Sequence, residues 1–463
     1  MIELTFYGGA GGEIGGNMIL LEDLKFDASI LLDFGVNYHR WSRYFNFPFS
    51  RPADHRDLIR CGVIPDVKGL YVGDKAESPI DACFVSHPHG DHYRYVSILR
   101  EGSTVFLSEC GHSIMRALEE VKERKTFEDR IEERVQRGEI RAEDFRTGDS
   151  LKVGGSGLEV EPVHVDHSIS GAYGFLIHTS DGLMVYTGDF RRHGAYSALT
   201  EDFIGAVQGA GEKVRLLMCE GTNIVRATPM TEQDVHNQSR HIVGKTDGLV
   251  IVDHSQADID RIRTIYNVAN EAGRELTVSK RIANTLNAMT ADPNLGRDAQ
   301  RVLKNSSVYF GSEKKWRGKR RKTRLERKIE GLFEGKERFA EEVKKSPSRY
   351  VLATNVYRFE ELRELQPPPG SVYVLSASEP FEEEREFDFQ RLLRWLDVYG
   401  VPLIQVHSSG HAMPNHLREL VKAVRPELFI PIHTEHPSLM GLYVSDCCGR
   451  VVTPDRGATV EVG

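Results

Sequence analysis

Four side chains able to hold a metal fall within six residues in Ser86-His87-Pro88-His89-Gly90-Asp91-His92, directly after the apolar run Ala82-Cys83-Phe84-Val85. Imidazole and carboxylate are the donors that a borderline cation such as Zn²⁺ or Mn²⁺ accepts. Pro88 and Gly90 shape a tight loop, so His87 and His89 can converge while Asp91 and His92 turn to a neighbouring position. One loop cannot complete two metal shells, so further donors must come from elsewhere. Residues that end other strand-like runs offer them. These are His167 after Val163-His164-Val165-Asp166, Asp189 in Tyr186-Thr187-Gly188-Asp189-Phe190, and His433 after Phe429-Ile430-Pro431-Ile432.

The elements that must position these groups read as α/β. At 463 residues the chain suggests two or three domains. Residues 1–222 carry short strand-like runs between Gly-rich turns, such as Asn17-Met18-Ile19-Leu20-Leu21, Ser29-Ile30-Leu31-Leu32 and Leu183-Met184-Val185-Tyr186. A charged stretch from about 112 to 136 has a helical pattern. From 223 to 377 strands alternate with longer helices, with a strand at Gly248-Leu249-Val250-Ile251-Val252, a helix from Ile259 through Ala272, and a break at Pro367-Pro368-Pro369-Gly370. Residues 378–463 return to the first style. There Leu417, Leu420, Val421 and Val424 give a helix one apolar face, Pro426 closes it, and Leu428-Phe429-Ile430-Pro431-Ile432 is a strand.

Composition fits a soluble globular protein, 40 % hydrophobic and 28 % charged. No apolar run reaches the ~20 residues of a membrane helix, and the N-terminus lacks the basic start of an export signal, so a cytoplasmic protein away from membranes is expected. The six cysteines show no CxxC spacing and read as small buried side chains in a reducing compartment. The net charge of −8 argues against a partner as acidic as nucleic acid, but cations are concentrated in KKWRGKRRKTRLERK, residues 314–328. That run is either a solvated surface or a basic arm tracking phosphates, with Lys314, Arg317, Arg320 and Arg321 as contacts and Trp316 as a stacking platform. The glycines from Gly8 to Gly16 do not make a phosphate loop, since no Lys follows and a strand comes next. They read as a turn under the site. His39, His55, His112 and His193 remain unassigned.

The motifs together resemble the metallo-β-lactamase superfamily. Asp33 in Leu32-Asp33-Phe34-Gly35 looks like its first motif, a carboxylate that orients the ligand loop; His87, His89, Asp91 and His92 match the second, His167 the third and Asp189 the bridging fourth. The resemblance implies an αβ/βα sandwich in which His87, His89, His167 and Asp189 hold one divalent metal and Asp91, His92, Asp189 and His433 another, Zn²⁺ first and Mn²⁺ as the alternative. Glu220 in Cys219-Glu220-Gly221-Thr222 looks like motif A of the β-CASP nucleases, Ser409-Gly410-His411-Ala412 like motif B and Pro431-Ile432-His433-Thr434-Glu435 like motif C. The Ser-Gly-His-Ala form is similar to ribonuclease J-type members, as are Glu13-Ile14-Gly15-Gly16-Asn17-Met18 and Ile64-Pro65-Asp66. By this resemblance 1–222 and 378–463 form the metallo-β-lactamase domain, and 223–377 is an inserted β-CASP α/β domain.

The implied activity is metal-dependent hydrolysis of single-stranded RNA, from the 5′ end or internally, by a homodimer. Asp91 and Asp33 would count among the catalytic residues, the metals would supply the attacking hydroxide, and His411, held by Glu220, would give the leaving oxygen its proton. Ser376, Ser378, Ser409 and Gly410 would meet the substrate. Two stretches differ from the ribonuclease J pattern. Asp253-His254-Ser255-Gln256-Ala257-Asp258 stands where Phe-Ala-Ser-Asn usually holds a 5′-phosphate, and Ser376-Ala377-Ser378-Glu379-Pro380 only loosely follows the phosphate loop. The short stretch after motif C points to the archaeal-like form. DNA as substrate in the manner of Artemis, and a catalytically silent RNA-binding subunit, are the alternatives; the intact donor set speaks against the silent one.

Overall fold

Strict alternation along Ile2–Gly8, with every second side chain fully buried, marks a strand with one face on a core and one half-covered. The computed structural model describes every residue except 47–49, 124, 227–229, 319–320, 356–358, 378–382 and 463. Ser378 and Arg320, nominated as substrate contacts, lie outside the described residues.

Three seven-stranded sheets organise the described residues. In the first, Ile2–Gly8, Met18–Asp23 and Ala28–Leu32 run antiparallel, and Ala82–Phe84, Ser103–Ser108 and Ile140–Phe145 follow in parallel. The second is centred on Gly182–Tyr186, Val214–Glu220 and Leu428–Ile432, also parallel. The two pack face to face. Phe84, Phe106 and Phe145 of the first meet Phe175, Met184 and Met218 of the second in one core, and Phe84 stands edge-on to Phe175 at 5.8 Å. Period two sends the neighbouring Cys83 and Val85 to the other face, against a separate cluster with Tyr95 and Met115. The second sheet likewise buries Leu217 and Phe429 against Leu417, Leu420 and Val421 of the helix Pro414–Val424. Helix, sheet, sheet, helix is the αβ/βα sandwich.

The third sheet, with Val250–His254, Tyr350–Asn355 and Val372–Leu375 at its centre, is parallel throughout. Its strands are apolar on both faces because both are covered: Val250 and Val252 face one cluster, Leu249 and Ile251 another. Its edge strand Leu403–Gln405 comes from beyond residue 377. The first of those clusters also takes in Cys110 and Ile114, so the third sheet's helices share a core with the helix Glu109–Glu120.

The charged stretch 112–136 is not one helix. It divides into Glu109–Glu120 and Ile131–Gln136. Glu119, at the end of the first, is buried and accepts the backbone N–H groups of Glu132 (2.8 Å) and Glu133 (3.3 Å), which open the second. A carboxylate there satisfies otherwise orphaned donors, and a continuous helix would have no use for it. Nearby His112 sits between Asp144 (2.6 Å) and Glu132 (3.3 Å). Burial lowers its pKa, but the Asp144 hydrogen bond and the two carboxylates outweigh this and raise it above 6.5. A raised folded-state pKa stabilises fully below the unfolded value and is lost as pH rises through the folded one. Melting temperature should therefore decline above pH 6.5 more steeply in the native protein than in His112→Gln, and parallel curves would exclude this clasp.

Among the described residues no helix is long and apolar enough to cross a membrane.

Candidate metal centre

Most candidate donors stand just past the C-terminal end of a strand, where a chain leaving a sheet can turn its side chains over the edge, and Asp91 and His92 lie in the short helix Gly90–Tyr93 that follows. His87 and His89 follow Ala82–Phe84, His167 follows Glu159–His164, Asp189 follows Gly182–Tyr186 and His433 follows Leu428–Ile432. The loop carrying the first four is clamped from two sides. The Asp91 carbonyl accepts Gly16 N–H (3.0 Å) and Asn17 N–H (3.2 Å), while Phe34 N–H donates to the His92 carbonyl (2.7 Å). Gly15 has φ +74°, and a Cβ there would lie 2.9 Å from Asp91 Oδ2. The Gly8–Gly16 turn thus supports the metal loop. Gly15→Ala should weaken metal binding by about 10–100-fold, the usual worth of an outer partner. Chelator competition measures it; native affinity in a folded variant would show that the turn does not set Asp91.

Asp33 shows how the donors are oriented. Its carboxylate accepts from Ser86 N (2.7 Å), Ser86 Oγ (2.8 Å), Tyr186 Oη (2.5 Å) and His92 Nδ1 (2.7 Å), and Asn17 Nδ2 donates to Tyr186 Oη (3.0 Å). The hydrogen bond from Nδ1 to Asp33 fixes the His92 ring and turns its Nε2 into the site. His167 is fixed likewise, its Nδ1 donating to the Gly410 carbonyl at 2.5 Å. Asp33 and His433 both have left-handed backbones, φ 58° and 49°, which non-glycine residues adopt only where packing enforces it.

His87 Nε2 and His167 Nε2 lie 3.0 and 3.1 Å from His89 Nδ1. Burial holds all three imidazoles well below the ordinary histidine pKa, His89 at about 4, so they are neutral near pH 7. Three lone pairs facing one point suit a cation. Next to them, Asp189 Oδ2 lies 3.2 Å from His92 Nε2 and 3.7 Å from both His87 Nε2 and His433 Nε2. Asp91 Oδ2 is 3.4 Å from His433 Nε2 and 3.8 Å from His92 Nε2. Asp189 Oδ1 and His92 Nε2 are buried and make no hydrogen bond. Burial raises the Asp189 pKa, but His433, His92 and His411 outweigh it and hold the carboxyl well below its usual range. Neutral imidazoles, ionised carboxylates and orphaned buried donors fit divalent metal.

His411 is the more open neighbour, its side chain 23 % exposed against 2 % for Asp189. Its Nδ1 is 3.8 Å from Asp189 Oδ2, 3.6 Å from Glu220 Oε2 and 3.1 Å from Thr222 Oγ1. Buried Glu220 accepts Thr222 N–H and Ala412 N–H, both at 2.9 Å, tying two loops together. Thr222, not singled out from sequence, also meets His433 Nδ1 at 2.9 Å. Only its place two residues after Glu220 could have suggested it.

The nominated substrate contacts are placed elsewhere or are engaged. Ser376 is buried; its hydroxyl donates to the Val406 carbonyl (2.5 Å) and accepts from Arg261 (2.6 Å). Trp316 is 7 % exposed and already packed, edge-on to Phe310 at 4.5 Å, with Lys280 and Lys322 over its ring. Lys314, Arg317 and Arg321 are exposed, but Arg317 pairs with Glu313, and in the same run Lys315 pairs with Glu364 and Lys328 with Glu120. Ser409 Oγ accepts from Asn223 Nδ2 (2.9 Å), and Gly410 has no room for a Cβ, which would lie 2.5 Å from Ser168 Oγ. Both shape the His411 loop.

Comparison with known proteins agrees with this geometry. Residues 70–242 match a family model described as a beta-lactamase superfamily domain, and residues 398–443 one described as a Zn-dependent metallo-hydrolase RNA specificity domain. Ribonuclease J of Sinorhizobium meliloti is 24 % identical over 84 % of this chain and 66 % of its own length; ribonuclease J of Pyrococcus abyssi is 21 % identical over 94 % and 90 %. The chain thus spans just under two thirds of the Sinorhizobium relative. A crystal structure of a protein of unknown function from Enterococcus faecalis V583 has the same fold, with a TM-score of 0.74, 22 % identity and 99 % of each chain covered. The chain is thus similar to metallo-β-lactamase-type hydrolases, and along most of its length to ribonuclease J proteins of bacteria and archaea.

Proposed function

We propose that the chain is a metal-dependent phosphodiesterase that hydrolyses RNA, with two cations, Zn²⁺ before Mn²⁺, shared through Asp189. The supporting observation is the convergence of four imidazoles on Asp189 Oδ2, with His92 at 3.2 Å and His87, His433 and His411 at 3.7–3.8 Å. His87, His89 and His167 would hold one cation, Asp91, His92 and His433 the other. Bound divalent cations would activate the attacking water and offset charge growing on the phosphoryl oxygens. In this reading the insert, 223–377, carries most of the third sheet.

The chain's own part is orientation and proton transfer. Asp33 holds the His92 tautomer, and Gly410 that of His167. His411 supplies the leaving oxygen with a proton. Burial opposes its charged form, but Glu220 and Asp189 outweigh this and raise its pKa, so it keeps that proton to a higher pH than an ordinary histidine. The RNA specificity description of the matched family and the ribonuclease J relatives support RNA over DNA.

The test is incubation of metal-loaded protein with matched RNA and DNA oligonucleotides, 5′-phosphorylated or 5′-hydroxylated, followed by product sizing. Cleavage of RNA alone, abolished by a chelator and restored by Zn²⁺ or Mn²⁺, is the expected result. Cleavage of DNA alone would overturn the substrate, and no cleavage by a fully loaded protein would overturn the activity.

A further inference from the structure

Arg191, two residues past Asp189, is fully buried and reaches three separate segments. Its Nε donates to Asp166 Oδ1 (3.1 Å), its Nη1 to the Ser409 carbonyl (3.4 Å), and its Nη2 pairs with Asp260. Its backbone N–H donates to the Asp166 carbonyl at 2.7 Å. Asp166 precedes His167. Ser409 stands two residues before His411, and Gly410 between them takes the His167 Nδ1 proton. Asp260 belongs to the first turn of the helix Ile259–Glu271, which packs on the third sheet, and also accepts Ala195 N–H at 3.1 Å. One planar cation therefore joins the His167 loop, the His411 loop and a helix of another sheet.

Stability alone is a poor reason for this arrangement. A buried ion cluster holds a fold no better than apolar side chains of the same volume, because the charges lose their water. A guanidinium forked between fixed partners does give a defined geometry, which a lysine or an apolar contact cannot. We propose that Arg191 is a positioning residue through which the helix Ile259–Glu271 sets the aim of His411. Asp260 fixes the guanidinium from the helix side, and the guanidinium in turn fixes the Ser409 carbonyl, two residues before His411. The proposal rests on His411 as the proton donor of the phosphodiesterase reading.

A substituted aim has a signature that loosened folding lacks. Proton donation matters when the leaving group is a poor one, a ribose alkoxide, and hardly matters when a nitrophenolate departs without a proton. Asp260→Asn keeps the shape of the side chain and lies outside the metal donors. On an RNA dinucleotide its kcat should fall about 10–100-fold, the cost of a displacement of around an ångström, with KM within about 2-fold of native. On bis-p-nitrophenyl phosphate the same variant should lose less than about 3-fold, because no proton is needed. Gly194→Ala supplies a second perturbation. Its Cβ would lie 2.3 Å from both Arg191 Nε and Asp166 Oδ2, and the same contrast between the two esters is expected.

A readout without metal accompanies these. In the metal-free protein, the melting shifts of Arg191→Lys and Asp260→Asn should be non-additive in the double variant, as for groups in one network. Equal losses on both esters, or additive melting shifts, would overturn the proposal. Failure of the activity reading is seen separately, since the native protein would then cleave neither ester, and the role of Arg191 would fall with it.

Discussion

Asp189→Asn is expected to empty the site and silence it together. Its Oδ2 has four imidazole nitrogens within 3.2–3.8 Å, from three different stretches of chain, and among the described residues no other carboxylate is grouped with all of them. The amide is isosteric but neutral, and one of its two ends carries hydrogens that would point at the very nitrogens a cation needs. Loss of an outer partner costs about 10–100-fold in metal affinity, so loss of the shared inner carboxylate should exceed 100-fold. Elemental analysis after dialysis should give about two equivalents of Zn or Mn for the native chain and well under one for the variant. Phosphodiester hydrolysis should fall in step. The variant should still fold, because Asp189 contributes nothing to the Phe84–Phe175 core between the sheets. A folded variant that keeps two equivalents and its activity would sink the bridging role.

The same residue illustrates what can be read from a sequence and what cannot. His87, His89, Asp91 and His92 stand out because they are dense, and Asp189, His167 and His433 because each ends an apolar run. Local chemistry also marks the strand Leu428–Ile432, and the helix Pro414–Val424 before it, with the left-handed Arg425 and Pro426 between. What escapes is anything decided by contacts distant in sequence. Tyr186 meets Asp33 across 153 positions, and Thr222 meets His433 across 211. Glu119 looks like one more charge on a charged helix until its carboxylate is found capping the next one. Trp316 lies in a basic run, which invites a surface reading. The helix Glu313–Arg317 nevertheless turns it onto Phe310, and burying an aromatic outweighs keeping it wet. Arg191 has no signature at all in the sequence, since its three partners come from 25, 69 and 218 positions away.

His411→Ala separates proton donation from metal holding. His411 Nδ1 comes within 3.8 Å of Asp189 Oδ2, near enough that the ring could be taken for a ligand, and with Asp189 and His433 it forms a donor group of its own. Two features argue for the proton instead. The ring is more exposed than the buried donors, and Thr222 and Glu220 occupy its Nδ1 side at 3.1 and 3.6 Å. If His411 is the acid, the alanine variant should keep its full metal content and lose about 10²–10⁴-fold in kcat, the range a positioned general acid supplies. The pH profile carries the sign. An acid works while protonated, so native activity should decline as pH rises through the raised pKa of His411, above 6.5, and that limb should vanish in the variant. The loss should also shrink on bis-p-nitrophenyl phosphate, whose leaving group departs as a stable anion. A variant with depleted metal would make His411 a ligand. One with native kcat would remove it from the chemistry, and Glu220 would then be left with the structural task its two backbone hydrogen bonds already describe.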